Sequence, residues 1–298
     1  MDLPAYVLIT PARNEVDYIE LTIKSVIAQS VRPLRWVIVS DGSTDGTDDT
    51  VRKYSPEHPW IQLLCMPARR ERHFAGKVLA FNAGYEHVKH LPYDVIGSID
   101  ADISFDPEYF AFLLQRLALD HTLGLVGTPF RDSSIKYDYR FVSIDHVSGA
   151  CQLFRRECFE QIGGYVPVKG GAIDRIANIT SRMRGWKTRT FTEKWYVHHR
   201  EMSRAQNGAL RACARDGAKD YAVGAHPMWM LCRVLYQMSK KPFIIGALAL
   251  GWGFIRSYLH KTERQVSLEV VEFTRKEQMQ RLKHFLSTTV FRLHSSKT

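Results

Sequence analysis

The alternation of short apolar runs with helical patterns constrains the fold of this 298-residue chain more than any other feature. The apolar runs are rich in β-branched residues, and five of them are candidate buried strands: residues 6–10, 34–40, 61–65, 94–100 and 123–127. Between them, apolar residues recur at three- and four-residue spacing in residues 15–29, 76–87 and 107–118. Strands that alternate with helices predict right-handed βαβ units, and therefore an α/β fold with a mostly parallel sheet flanked by helices.

Composition and cysteine spacing exclude several classes of protein. Hydrophobic residues make up 45% of the chain and charged residues 24%, which is typical of a globular protein and excludes disordered and collagen-like chains. The five cysteines have no paired CxxC spacing, so neither a zinc site nor a disulfide framework is indicated. The N-terminus also lacks the pattern of a secretory signal. We therefore expect a reducing, cytoplasmic location.

Charge is distributed unevenly between the two halves of the chain. Residues 1–150 hold 15 Lys+Arg and 20 Asp+Glu, a net charge of −5, whereas residues 151–298 hold 26 and 11, a net charge of +15. This asymmetry predicts an anionic partner for the second half, such as a nucleic acid, a phospholipid surface or a phosphate-bearing substrate. No nucleic-acid-binding signature is present, and aromatic residues are not interleaved with the basic ones, so we expect no nucleic-acid partner.

Polar segments follow four successive predicted strands, where ligands of parallel sheets collect. They are TPARNE (10–15), DGSTDGT (41–47), RRERHFAGK (69–77) and DAD (100–102). DGSTDGT taken alone also suits a turn followed by a helix N-cap. The basic segment is either a lid or a solvated loop, and it contains Arg69, Arg70 and Arg72. No GxGxxG follows the first strand, which disfavours a dinucleotide-binding fold.

The DAD segment is a candidate metal site. Asp100 ends an apolar strand, and Asp102 lies two residues further on, where side chains of an extended segment face the same way. Two carboxylates so placed repel each other, and a divalent cation such as Mg²⁺ or Mn²⁺ relieves the repulsion while taking its other ligands from water and substrate phosphates. The alternative is a pair of solvated loop acids.

Five segments in order and spacing resemble the family 2 inverting glycosyltransferases of the GT-A fold, of the bacterial type that builds polysaccharides and lipid-linked glycans: ITPARNE, DGSTDGT, AGKVLAFNAG, DAD and CQLFRRECFEQIGGY. The resemblance covers roughly residues 5–200. It implies a Rossmann-like GT-A domain that transfers a sugar from a UDP-, GDP- or dTDP-linked donor to a glycan or polyprenyl-linked acceptor, with inversion. It also implies a divalent metal, Mg²⁺ or Mn²⁺, on the donor diphosphate, and a role in cell-envelope or exopolysaccharide biosynthesis.

The same resemblance implies which residues bind the nucleotide sugar, namely Pro11, Arg13, Glu15, Asp41, Lys77 and Asp100. By this resemblance the first-strand loop holds the nucleoside, Glu15 contacts the ribose and Asp41 contacts the base. Lys77 meets the diphosphate, although a lysine at a helix start also lies on many protein surfaces. Asp100 lies near the ribose and the sugar, and Asp102 ligates the metal.

The resemblance also implies the catalytic base. Direct displacement with inversion requires a carboxylate that takes the proton of the acceptor hydroxyl. The family usually supplies it from a Glu-Asp pair after the GGY segment; here Asp174 matches the second acid, whereas the first position is Ile173. Asp174 is therefore the predicted base, with a helix N-cap as the alternative role, and the acceptor contacts of the missing glutamate are in question.

A possible third metal ligand follows a short aromatic strand in KWYVHHR (194–200). Some family members hold a histidine near the diphosphate or the metal at this place. Two consecutive histidines cannot both face inward from a strand, and of the two we choose His198. Arg200 and Arg204 are alternative phosphate contacts.

The C-terminal third differs in composition from the rest. The apolar run Pro242–Ile255 has 14 residues, fewer than the roughly 20 that span a bilayer, and basic residues flank it on both sides. We predict a GT-A catalytic domain over residues 1–205 and a helical, basic, membrane-surface region over 206–298. This places the protein peripherally at the cytoplasmic face of the cell membrane, on anionic lipid. An ordinary buried core helix is the alternative for 242–255.

Two further functions are weighed against transfer. A sugar-phosphate nucleotidyltransferase has a related sheet, but its glycine-rich, arginine-containing opening loop is missing after the first strand. A catalytically degenerate GT-A protein could act as a binding partner in a glycan-synthesis assembly. The presence of Asp41, Asp100, Asp102 and Asp174 argues against that degenerate protein.

Overall fold

A computed structural model describes residues 2–67, 75–131, 143–168, 170–200 and 208–295, with side chains described up to residue 287. The chain forms two compact units, residues 1–201 and 202–298. The division lies close to the boundary expected after residue 205, and each unit is described by itself.

The first unit is built on a seven-stranded sheet in the order β3-β2-β1-β4-β8-β6-β9. Six strands run parallel and β8 runs antiparallel between β4 and β6. The strands are β1 (Tyr6–Ala12), β2 (Arg35–Asp41), β3 (Ile61–Met66), β4 (Val95–Ile99), β6 (Leu123–Gly127), β8 (Cys151–Arg155) and β9 (Lys187–Thr190). Each of the five predicted strands is present, and the predicted α/β fold with a mostly parallel sheet is confirmed.

Helices cover both faces of this sheet. They are α1 (Ile19–Ile27), α2 (Thr47–Tyr54), α3 (Ala75–Val88), α4 (Tyr109–Leu119), α5 (Arg156–Gln161) and α6 (Ile173–Met183). Side chains of α1, α2 and α4 share one buried cluster with alternate strand residues such as Leu8 and Ile38. Side chains of α3, α5 and α6 share the other cluster with Val7 and Ile9. Because both faces are buried, the strands are apolar throughout, which is why they are readable as continuous runs.

A small second sheet lies beside the DAD segment. It has the order β5-β10-β7, with β5 (Ile103–Ser104), β7 (Phe130–Arg131) and β10 (Tyr196–His198). In the antiparallel pairing of β10 with β5, His198 stands opposite Ile103. This pairing brings the end of the first unit back to the residues that directly follow Asp102.

The first helix begins later than its apolar spacing predicts. The pattern runs over residues 15–29, but α1 starts at Ile19. The backbone N–H groups of Asn14, Glu15 and Val16 donate instead to side chains of the loop after β2. Asn14 has a φ of 56°, a left-handed conformation that interrupts a helix.

The second unit is helical, with α7 (Ala209–Ala222), α8 (Pro227–Gln237), α9 (Phe243–Leu259) and α10 (Leu268–Ser295). Helices α7 and α9 approach so closely that a Cβ on Gly217 would lie 2.0 Å from the carbonyl oxygen of Leu250. A Cβ on Gly253 would likewise lie 1.9 Å from the carbonyl oxygen of Ala214. Among the helices described, none has both the length and the apolarity needed to cross a membrane.

Gly84 provides a test of how tightly α3 packs on the sheet. An added Cβ would lie 2.7 Å from Ile9 Cγ2 and 2.9 Å from Val39 Cγ2. Glycine to alanine inside a helix ordinarily stabilises by about 1 kcal/mol. We expect Gly84→Ala to do the opposite and to lower the free energy of unfolding by about 1–3 kcal/mol because it overpacks the core. Urea denaturation measures the change.

The matched control is Asn82→Ala, because Asn82 lies on the exposed side of the same helix. It tests helix propensity without the packing conflict, and we expect a neutral or slightly stabilising effect. Equal stabilisation by both substitutions would contradict the tight packing of α3.

Candidate active site

The loops that follow β1 and β2 are tied together at the carboxyl edge of the sheet. Asn14 N–H donates to Ser43 Oγ over 3.1 Å, and Thr44 N–H donates to Asn14 Oδ1 over 2.9 Å. Asp45 accepts from Val16 N–H over 3.0 Å and from the hydroxyl of Thr47 over 2.6 Å. DGSTDGT therefore does form a turn before α2, and through its side chains it also shapes the neighbouring first-strand loop.

Asp41 and Arg13 stand side by side at this edge. Asp41 is the last residue of β2 and is 6% exposed, so its carboxylate is largely enclosed by protein. Arg13 Nη1 lies 3.7 Å from Asp41 Oδ2. Pro11 lies further back, within β1, where its register partner is Val39 of β2.

Lys77 is partly exposed, and its ammonium is paired within the site. Its Nζ donates to Asp100 Oδ1 and, over 3.3 Å, to the carbonyl oxygen of Gly149. Burial alone would lower the pKa of Lys77, but the negative charges of Asp100, Asp174 and Asp102 outweigh burial and raise it. Burial raises the pKa of Asp100, with Asp102 adding to this rise and Lys77 opposing it. The ammonium and the nearby carboxylates thus depend on one another for their charged forms.

Asp100, Asp102 and His198 form a group that can hold a metal ion. One potential ligand atom from each residue lies within 4.8 Å of those of the other two. His198 Nε2 is 3.8 Å from Asp102 Oδ1, and its Nδ1 is 2.7 Å from the carbonyl oxygen of Arg200. Two carboxylates and one imidazole are a donor set that suits a divalent cation.

The choice between the two histidines follows from the backbone. His199 N–H donates to the carbonyl oxygen of Asp102 over 2.9 Å, and its Nε2 lies 2.9 Å from Ser104 Oγ. Burial lowers the pKa of His199. Because neighbouring residues alternate, His198 faces the acids and His199 faces the small sheet. Residues 101 and 102 form a turn instead of the extended segment that the spacing suggests, and the two carboxylates still converge.

Arg200 bridges two parts of the site that are far apart in sequence. Its guanidinium pairs with Glu15 of the first loop, and its Nε lies 3.3 Å from Asp102 Oδ2. This ion pairing connects the loop after β1 with the group formed by Asp100, Asp102 and His198. Arg69, Arg70, Arg72 and Arg204 lie outside the described residues.

Asp174 lies in the first turn of α6, next to the Lys77 pair. Gly149 lies between them: its carbonyl accepts from Lys77, and a Cβ on it would be 2.8 Å from Asp174 Cβ. His146 Nε2 is 3.8 Å from Asp174 Oδ2. Asp174 side chain is about one third exposed, so it is enclosed on one side and open to a reactant on the other.

Asn178 joins the loop around Val147 to helix α6. Its side chain accepts from Val147 N–H over 2.9 Å and donates to the carbonyl oxygens of Val147 over 2.9 Å and Asp174 over 2.8 Å. It is 1% exposed, so these bonds are shielded from water. The loop that carries His146 and Gly149 is thereby fastened to the helix that carries Asp174.

The donor atoms at this edge suit a divalent cation. Asp100 and Asp102 offer carboxylate oxygens and His198 an imidazole nitrogen, while Lys77 and Arg200 pair with the same carboxylates. The residues present therefore fit a bound Mg²⁺ or Mn²⁺ by donor type.

Most of the predicted residues converge at this one edge, whereas Pro11 contributes backbone position only. Sequence reasoning missed His146 and Asn178. Neither lies in a segment that resembles a known motif, and each is 28 or fewer residues from Asp174 with no periodicity that links them. One sequence feature that could have indicated this loop is Gly149, two residues before β8, because a glycine leaves room where Asp174 comes close.

Comparison with known proteins agrees with the geometry. Residues 7–144 match the family described as glycosyl transferase family 2. A poly-beta-1,6-N-acetyl-D-glucosamine synthase of Staphylococcus aureus (strain MSSA476) is 30% identical over 117 residues, which are 39% of this chain and 26% of that protein. The matched part spans 12% to 26% of the length of such curated relatives.

Two solved structures share the fold. The mannosyltransferase PcManGT from Pyrobaculum calidifontis, in complex with GDP-Man and Mn²⁺, has a TM-score of 0.60 at 21% identity and covers 91% of this chain and 79% of its own. Residues 1–349 of S. aureus TarS, in complex with UDP-GlcNAc, have a TM-score of 0.56 at 14% identity and cover 91% and 78%.

The family match and the shared fold agree with the convergence of Asp41, Lys77, Asp100 and Asp102 at the edge of the sheet. The chain therefore has the GT-A fold, and residues 7–144 of it match glycosyl transferase family 2.

Proposed function

We propose that this protein is a metal-dependent, inverting glycosyltransferase that moves a sugar from a nucleotide diphosphate to a glycan or polyprenyl-linked acceptor. The observation that carries the proposal is the convergence of a three-residue metal group, a lysine paired with one of its acids and a separate, partly exposed carboxylate. A binding module has no need of an acid set apart from the metal group.

Structural neighbours support the donor class. PcManGT was solved with GDP-Man and Mn²⁺, and TarS with UDP-GlcNAc. In this chain, Asp41 and the loop from Arg13 to Glu15 would take the nucleoside, because they line the carboxyl ends of adjacent parallel strands. Lys77 and Arg200 would take the diphosphate, since both cations already stand beside the metal group.

The metal would be held by Asp102 and His198, with Asp100 beside them. A bound divalent cation would supply positive charge to the diphosphate as it leaves. Lys77 then shifts part of its attraction from Asp100 to the phosphate oxygens. This is electrostatic stabilisation by groups that are in place before the reaction begins.

Asp174 would act as general base. Its carboxylate takes the proton of the acceptor hydroxyl while that oxygen bonds to the anomeric carbon and the bond to the diphosphate breaks on the opposite face. His146, 3.8 Å from Asp174 Oδ2, and Asn178, bonded to the Asp174 carbonyl, keep the carboxylate positioned. Ile173 leaves no acid at the preceding position, so acceptor contacts must come from elsewhere in the chain.

We place this reaction in cell-envelope or exopolysaccharide synthesis, on the cytoplasmic side of the membrane. A polysaccharide synthase among the relatives supports the first part. All five cysteines are free thiols, which agrees with a reducing compartment.

Thermal unfolding with a panel of nucleotide sugars tests the donor site. The purified chain is heated with UDP-, GDP- and dTDP-sugars, each with Mn²⁺ and again with a chelator. We expect the unfolding midpoint to rise with one nucleotide and only when metal is present, because binding to the folded state stabilises it. If a folded, monodisperse sample responds to none of them, a catalytically degenerate GT-A protein becomes the better account.

Asp102→Asn tests the metal group. We expect Mn²⁺ affinity, measured by the electron paramagnetic resonance of free Mn²⁺ without donor, to fall at least about tenfold because a charged ligand is lost. Asp106→Asn is the control, since Asp106 lies four residues away and pairs with Lys194 over 2.5 Å. Equal Mn²⁺ affinity in wild type and Asp102→Asn would remove Asp102 from the site.

Asp174→Asn tests the base. Transfer should fall by about 10²- to 10⁴-fold, the usual contribution of a general base, whereas the donor-induced rise in unfolding midpoint should be retained. Glu160→Gln, which alters an exposed carboxylate paired with Arg156, should leave both quantities unchanged. Full transfer by Asp174→Asn would show that another group accepts the proton.

A further inference from the structure

Helix α9 buries small residues and exposes large apolar ones, which is the reverse of a helix in a water-soluble domain. Its buried residues are mostly small and recur on one face: Gly246, Ala247, Leu250, Gly253, Phe254 and Ser257. Its exposed residues are large and apolar: Ile244, Ile245, Leu248, Trp252, Ile255 and Leu259, each between 51% and 68% exposed. In an ordinary amphipathic helix, the large apolar side chains face the core and polar ones face water.

Close packing through small residues explains the buried face. Gly217 and Gly253 let the backbones of α7 and α9 touch, as the distances of 2.0 Å and 1.9 Å from a notional Cβ show. Helices in lipid pack in this manner, with small residues at the interface and large apolar residues toward the surrounding chains. The large side chains of α9 therefore point away from α7 and are available to contact a partner outside this helix pair.

Helix α8 extends the same apolar surface. Met228, Leu231, Leu235 and Met238 recur at three- and four-residue spacing and are 41% to 57% exposed. The two helices touch where Val234 Cγ2 would lie 3.5 Å from a Cβ on Gly251. Exposed apolar stripes on two helices that touch mark an interaction site, because isolated exposed residues are common but long stripes are not.

Charge identifies the occupant. Residues 227–262 contain five Lys+Arg and no Asp or Glu, and Lys240 and Lys241 are exposed in the turn between α8 and α9. Arg256 and Lys261 are exposed at the other end of α9. A second copy of this chain would bring the same uncompensated positive charge against it. Anionic lipid headgroups offer the opposite charge, with acyl chains beneath them for the apolar side chains.

We infer that α8 and α9 lie in the surface of an anionic bilayer, with α9 parallel to the membrane and its Ile244–Leu259 face in the acyl region. With 17 residues, α9 is about 25 Å long, which suits a helix lying along the interface. At the two ends of that helix, the anionic headgroups pair with the basic side chains of Lys240, Lys241, Arg256 and Lys261. This inference is independent of sugar transfer, because it requires neither donor nor metal.

Vesicle flotation of the full chain, without nucleotide or metal, tests the inference. We expect the protein to float with phosphatidylcholine vesicles that contain 30% phosphatidylglycerol, and to float much less with phosphatidylcholine alone or at high salt (about 0.5 M). Leu248→Gln and Trp252→Gln should each reduce the ratio of vesicle-bound to free protein about tenfold. This is a smaller loss than we would expect if a large apolar side chain were left wholly out of the membrane. Lys240→Gln should reduce it about fivefold on anionic vesicles only.

The matched control is Leu119→Gln in the first unit. Leu119 is 60% exposed, as Trp252 is, but belongs to α4 and should not affect flotation. A second measurement is informative even if a variant still binds vesicles. Brominated lipid should quench the tryptophan fluorescence of the wild-type protein, and Trp252→Phe should lose most of that quenching.

Three outcomes would overturn the inference. The first is no flotation with either kind of vesicle. The second is equal flotation with both, which would remove the anionic preference. The third is a dimer, detected by light scattering, that Leu248→Gln dissociates, together with no binding of the protein to vesicles. That result would mean that a second copy of the chain covers this face.

Discussion

Mutual repulsion among carboxylates at one edge of the sheet is the constraint on which the site depends. Asp41, Asp100 and Asp102 lie there because parallel strands end together, and Glu15 and Asp174 join them from the loop after β1 and from the first turn of α6. Lys77 is paired with Asp100, and Arg200 with both Glu15 and Asp102, so these two cations offset carboxylate charge at the edge. The two carboxylates and one imidazole that converge there are the donor set that suits the edge to a divalent cation.

Much of this edge is predictable because the information is local. Asp41, Asp100 and Asp102 directly follow apolar strands, and parallel sheets gather such residues whatever the details of packing. The apolar runs of β1 to β4 are readable because both faces of the sheet are covered. The start of α1 was predicted wrongly, since hydrogen bonds from residues 14–16 to another loop override the local periodicity.

Contacts between distant segments account for what the sequence could not provide. His198 reaches Asp102 only because β10 pairs with β5, about one hundred residues away in sequence. His146 and Asn178 are positioned by the packing of a loop against α6, and no residue pattern indicates that packing. The direction in which α9 faces is likewise not indicated by its composition, because apolar residues occur all round the helix and its contacts with α7 and α8 decide which of them are buried.

The bonds that join the first two strand loops also affect how a nucleoside could be recognised. Hydrogen bonds join Asn14 to Ser43 and Thr44, and Asp45 to Val16 and Thr47. Under the proposed function, a base bound at the ends of β1 and β2 would meet this hydrogen-bonded wall, and the loops would lose less conformational entropy on binding. Selection among bases would then rest on shape and hydrogen-bond match to a rigid surface, so that a poorly matched nucleotide gains nothing from loop adjustment.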